Sequence, residues 1–147
     1  IQGSKSNPEI LKWAKECRLE KIYTNDDTAW CGLFMAVTLL RSGYTPLQSY
    51  DALRAKEWAK FGIEKKIAEL GDILVFERSG GGHVGYYVGE DEMAYHVLGG
   101  NQSNTVCIVR ILKQRCMSIR SVPYNKKPNN IRAIYINANG EVSKNER

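Results

Sequence analysis

The spacing of apolar residues changes once along this chain, at Gly71, and that change limits the fold more than any other feature. Upstream, apolar residues recur at helical spacing. Asn7 can cap and Pro8 can open a helix in which Ile10, Ala14 and Cys17 share a face, running to about Leu19. After the polar loop Thr24-Asn25-Asp26-Asp27-Thr28, the run Ala29 to Leu40 predicts a second helix, closed by Arg41-Ser42-Gly43. It is apolar on most sides and so should be central. A third helical stretch is expected from about Ser49 to Lys60, stopped by Gly62.

Downstream of Gly71 the period is that of strands. Asp72 to Glu77 reads as a buried strand, and the turn Ser79 to Gly82 leads into a second, His83 to Val88, making a hairpin. Further strands are expected at Met93–Leu98, Thr105–Leu112, Cys116–Val122 and Arg132–Ile136. Helices first and antiparallel strands second predict an α+β fold, with N-terminal helices packed on an antiparallel sheet. Residues 1–147 read as a single domain, with a polar tail expected to be loose from Asn137.

At 147 residues, 43% hydrophobic and 25% charged, the chain suits one hydrophobic core. Its longest apolar run is well short of the roughly 20 residues that span a bilayer, so no membrane insertion is expected. The chain opens Ile1-Gln2-Gly3-Ser4 with no basic and apolar leader, which reads as a trimmed or tagged piece of a longer protein. A net charge of +5 favours anionic partners: nucleic acid, a membrane surface or an acidic wall polymer. Nucleic acid is not expected, because the basic residues are scattered without an arginine-rich helix or finger spacing. Cys17, Cys31, Cys107 and Cys116 form no CxxC pair, and His83 and His96 lack a zinc-site spacing, so neither a metal nor an organic cofactor is called for. A monomer is expected.

Nucleophilic chemistry has one set of candidates. Cys31 stands near the start of the central helix, where unpaired N–H groups and the helix dipole favour a thiolate. His83 follows the small residues Ser79-Gly80-Gly81-Gly82, which leave room for a substrate chain, and can serve as general base and then acid. Asn101, in the turn Leu98-Gly99-Gly100-Asn101-Gln102-Ser103 one strand beyond, can accept a ring N–H and hold the imidazole in one tautomer. Asp27, Trp30, Gly82 and Gln102 are the candidate substrate contacts, although Asp26 and Asp27 also suit helix caps. Trp30, Tyr86 and Tyr87 also suit the core; alternation sends the two tyrosines to opposite faces, so at most one lines a cleft. His96 reads as a structural histidine. The other cysteines read as packing residues, with Cys107 and Cys116 the candidate pair for a single disulfide.

These residues stand in a recognisable order: Asp-Asp-Thr-Ala-Trp-Cys31-Gly, then Gly71-Asp72-Ile-Leu-Val-Phe, then Gly82-His83-Val-Gly-Tyr-Tyr-Val-Gly, then Leu98-Gly-Gly-Asn101-Gln. Over roughly Thr24 to Val109 this resembles the NlpC/P60 and CHAP superfamily of cysteine peptidoglycan hydrolases, closest to a branch of phage lysins and secreted antibacterial toxins. The resemblance implies a papain-like fold, Cys31 as nucleophile, His83 as base, Asn101 as third residue, and an oxyanion held partly by the Cys31 N–H. Two departures stand out: CHAP domains often carry Glu where this chain has Gly99, and Gln where it has Trp30. The first leaves the third role between Asn101 and Gln102; the second leaves the oxyanion side-chain donor unassigned.

The implied activity is hydrolysis of amide bonds in the stem peptides of cell-wall peptidoglycan. The bond from D-Glu to the diamino acid is favoured and that from muramic acid to L-Ala comes next. Action at the cell wall follows, after secretion, injection or lysis, and a toxin would be paired with an inhibitor (immunity) protein. The rival readings are a thiol acyltransferase or deamidase acting on protein, and a catalytically idle wall-binding module.

Overall fold

The Asn7 side chain accepts a hydrogen bond from the Glu9 N–H at 2.8 Å and Pro8 fills the first turn, so helix α1 runs Pro8–Glu16. The structure, a computed structural model, describes residues 6–25, 28–138 and 140–146. Helix α1 ends before the expected Leu19 because Arg18 turns left-handed, with φ 58°. Leu19 is buried all the same.

Helix α2, Cys31–Arg41, starts two residues later than the apolar run suggests. Trp30 is its N-cap and contributes no side-chain hydrogen bond, so Cys31 is the first helical residue. The helix is buried almost all round, as its composition requires.

The third helical stretch is broken into α3, Ser49–Leu53, and a 3₁₀ helix, Ala55–Lys60. Trp58 is fully buried and its Nε1 donates to the Ala52 carbonyl at 3.1 Å, a carbonyl that a continuous helix would use for its own ladder. Indole burial overrides the local period.

Six strands form one antiparallel sheet in the order β1-β6-β2-β3-β4-β5: β1 Ile63–Lys65, β2 Ile73–Arg78, β3 Gly81–Glu90, β4 Ala94–Gln102, β5 Thr105–Leu112 and β6 Cys116–Ser121. Strand β1 has three residues, too few to show alternation in sequence, and pairs with β6 at the edge. The strand expected at Arg132–Ile136 does not form. That segment meets β3 at Glu90, through Ile134 O and Ile136 N with Tyr135 in an isolated parallel bridge, and at the Tyr87 hydroxyl, which accepts from the Ile134 N–H.

The helices cover one face of the sheet, and the main core lies between, with Ile73, Val75 and Val84 meeting Trp30, Leu33, Phe34 and Met35. Leu74, Phe76, Tyr87, Val97 and Ile111 form a smaller cluster on the opposite face. Strand β2 is therefore buried on both sides, which explains its unbroken apolar run.

Three smaller expectations meet different outcomes. The tail, expected to be loose, makes contacts with β5: Arg110 reaches Gly140 O and Ala138 O, and the Ser143 N–H donates to Arg110 O at 2.6 Å. All four cysteines are free; β5, with Cys107, and β6, with Cys116, are separated in the sheet by β2, β3 and β4, so those two cannot pair. No helix among the described residues is long and apolar enough to cross a membrane.

Candidate functional site

Cys31 is held at the first position of α2 against strand β3, and only 4% of it is exposed. Burial pushes its thiol pKa up, but the hydrogen bond and charge of His83, with the N–H groups of Val84 and Gly32, outweigh burial and bring it below an ordinary thiol. Cys17 and Cys116 show the contrast. Burial drives both up to about 11, with no imidazole to oppose it.

His83 lies near the start of β3 with 1% exposed. Burial pulls its pKa down, and its contacts with Cys31 and Gln102 more than reverse this, so imidazolium is favoured. The two shifts act in one direction, toward a thiolate beside an imidazolium.

The third residue is identified by its hydrogen bonds. Gln102 is fully buried, and its Nε2 donates to the carbonyls of Cys107 at 2.6 Å and Val97 at 3.3 Å. Its Oε1 must therefore face the ring, 2.9 Å from His83 Nε2. Nε2 carries the hydrogen, and Nδ1 is left to exchange a proton with Cys31. The ring thus bonds Gln102 and not Asn101, and Gln102 is fully buried, away from the substrate contact expected of it.

Asn101 makes no such bond. It is buried with φ 59°, and its Oδ1 has no hydrogen-bond partner among the described residues. Register explains why counting favours it: Tyr86 pairs with Leu98, and three further steps set 83 opposite 101. A register shift between Gly99 and Gln102, with the left-handed turn at Asn101, breaks that count and swings the next side chain under the ring.

Gly99 makes room for it. A Cβ there would stand 2.7 Å from Gln102 Oε1 and 3.3 Å from His83 Nε2. The Gln102 side chain fills the space that a residue-99 side chain would need.

Cys31 opens on a cavity of about 320 Å³ walled by Ala29, Leu53, Arg54, Lys56, Glu57, Arg78 and Gly82. Gly82 lines this cavity, and a Cβ there would come 2.7 Å from Lys56 Cγ and narrow the cleft. Three cations against one anion give the cleft a positive character. These three were missed in sequence because only the folded chain brings 54, 56 and 78 together.

Trp30 does not line the cleft. It is fully buried with its ring 6.1 Å from that of Trp13, because the helix cap turns the indole inward toward α1. Tyr86 bonds Thr38 at 2.6 Å and Tyr87 bonds Glu90 at 2.8 Å, one on each face of the sheet, and neither reaches the cavity. Asp27 lies outside the described residues. His96 is bound by Asp91 at 2.7 Å, a structural contact. No family model matches the chain, and no curated protein is similar to it.

Proposed function

We propose that the chain is a cysteine amidohydrolase of papain-like fold that cuts amide bonds in the stem peptides of bacterial peptidoglycan. The observation that carries this reading is a single line of contacts: a Cys31 thiol at a helix start, the His83 imidazole against it and the Gln102 amide behind the ring, opening on a cationic cleft. The sequence order around Cys31, His83 and Gln102 supplies the family resemblance, and the α+β arrangement is compatible with it.

In this reading His83 Nδ1 draws the proton from Cys31 and the thiolate attacks the substrate carbonyl. The oxyanion gathers near the Cys31 N–H, which α2 leaves without an internal partner. Imidazolium then protonates the departing amine, and water deprotonated by His83 cleaves the thioester. These steps use only groups of the chain.

Arg54, Lys56 and Arg78 suit a substrate bearing carboxylates beside the scissile bond. Stem peptides bear them at D-Glu and at the diamino acid, so the bond between those two is the proposed target, with the muramoyl–L-Ala bond next. Action at the cell wall, as a phage lysin or an antibacterial effector with its own inhibitor protein, follows from this reading.

The test is incubation with purified peptidoglycan and, separately, with a glutamine-rich protein, followed by mass spectrometry of both. New amino termini in wall peptides, absent with Cys31→Ala, are the expected result. Modification of the protein with an intact wall would replace this function with acyl transfer or deamidation. No change in either would leave an idle module.

A further inference from the structure

The segment from 140 to 146 runs back to β5 and to the end of β4 that carries Gln102. The Ser143 N–H donates to Arg110 O at 2.6 Å, and Arg115 Nη1 donates to Ser143 O at 3.0 Å. Glu146 O then accepts from the Ser103 N–H at 3.1 Å, within the left-handed turn Ser103–Asn104 that joins β4 to β5. Gln102, which holds His83, directly precedes that turn.

The Glu146 side chain is also buried, with 2% exposed. Arg115 holds its carboxylate at 2.7 and 3.2 Å and the Ser143 hydroxyl donates to it at 2.6 Å. Burying a carboxylate is costly, and a neutral side chain would tether this turn as well. The cost has a use if the charge is felt nearby.

We propose that Glu146 is a positioning residue of the site: its main chain fixes the turn that sets Gln102 against His83, and its carboxylate, buried on Arg115, places a negative charge at that turn. The inference rests on the thiolate–imidazolium chemistry above but on no particular substrate. Its geometry is the Ser103 contact and the buried Arg115–Glu146 pair, and its electrostatics agree, since Glu146 acts on His83 in the direction that favours imidazolium. Cys31 from α2 and the neutral Gln102 from β4 contact the His83 ring, Lys56 and Arg78 stand beside neighbouring Gly82, Glu77 pairs with Gly82 across the sheet, and Glu146 lies beyond Gln102 at the Ser103 turn. Arg115 directs its hydrogen bonds to Glu77, Ser143 and Glu146.

The experiment follows the His83 ring signal by nuclear magnetic resonance against pH in the full chain, assigned through its loss in His83→Ala. In Glu146→Gln, which keeps size and hydrogen bonding, the midpoint should fall by about 0.5 pH unit or more. Alkylation of Cys31 by iodoacetamide on the acid side should slow several-fold. Glu146→Asp, which keeps the charge, should stay near the native midpoint.

Should Glu146→Gln unfold through its unpaired guanidinium, the double variant Glu146→Gln/Arg115→Gln removes that cation, and the midpoint should still fall. An unchanged His83 midpoint in either folded variant overturns the proposal. Neither readout needs a wall substrate. A chain that shows the shift but spares peptidoglycan would sink the proposed function and leave this inference standing.

Discussion

Single residues carry the sharpest consequences. Gln102→Ala should lower the rate of peptidoglycan hydrolysis by roughly tenfold to a hundredfold, because the ring loses its side-chain orienter, while His83→Ala should cost about a hundredfold or more. Asn101→Gly should keep the rate within about threefold of native, since glycine accepts the left-handed turn. Asn101→Ala should lose about 1 kcal/mol of stability for the same backbone reason. Initial rates of amino-group release, with circular dichroism to confirm folding, decide between these residues. Near-native activity in Gln102→Ala beside collapse in Asn101→Ala would reverse the assignment. The thiols separate too. At about pH 6.5 a limiting amount of iodoacetamide should label Cys31 and spare Cys17 and Cys116, whose pKa values lie at about 11. The acid limb of the activity profile should lie below the range of an ordinary thiol and the alkaline limb above that of an ordinary imidazole, because attack needs the thiolate and amine departure the imidazolium. Peptide mapping after labelling, and a rate profile over that range, check both expectations.

At the scale of elements, β4 determines whether the base is oriented. Gly99→Ala would push a methyl toward Gln102 Oε1 and should destabilise the fold by about 1–3 kcal/mol while reducing activity as far as Gln102→Ala does. Combining the two should cost little more than either alone, since both break one contact. Additive losses would show that Gly99 acts elsewhere. The elements themselves were unevenly legible in sequence. Helix α2 and strands β2, β3 and β5 declared themselves through long, consistent periods, and Cys31 and His83 through their places on them. The break at Arg54 was hidden because it answers to the burial of Trp58, a tertiary demand. The third residue was hidden by a register shift, which no count along β4 reveals. Arg54, Lys56, Arg78 and Glu146 left no local signal at all, because their proximity to the site comes from chain crossings.

The whole molecule is stabilised by an ionic network as well as by its core. Asp91, buried after β3, accepts from Arg110 twice at 2.9 Å, pairs with His96 at 2.7 Å and accepts from the N–H groups of Met93 and Ala94. Arg110 above all holds its carboxyl well below the usual range. A depressed pKa stabilises the folded state above the unfolded value, so this contribution should be complete above about pH 4 and lost as pH falls further. Asp91→Asn should destabilise the fold near neutrality by removing the carboxylate that Arg110 bonds twice. Urea melts at neutral and acid pH check this: the gap between native and variant should shrink in acid, and a constant gap would contradict the sign. The strand order has a kinetic consequence. Strands β2 to β5 pair each with the next, whereas β6 must cross back to the far side of β2 and β1 is reached only through β6. Short loops close cheaply, so the hypothesis is that the β2–β5 ribbon zips first and the β6 edge last. Pulse-labelled hydrogen exchange that protects β6 before β3 and β4 would refute it. On that route imidazole and amide meet inside an early ribbon, while Cys31 waits on a helix that has yet to dock. Until it docks, the thiol keeps the ordinary value of about 8.5 and stays mostly protonated in neutral surroundings. A nascent or damaged chain would then carry a chemically quiet sulfur, and reactivity would switch on only with the finished fold.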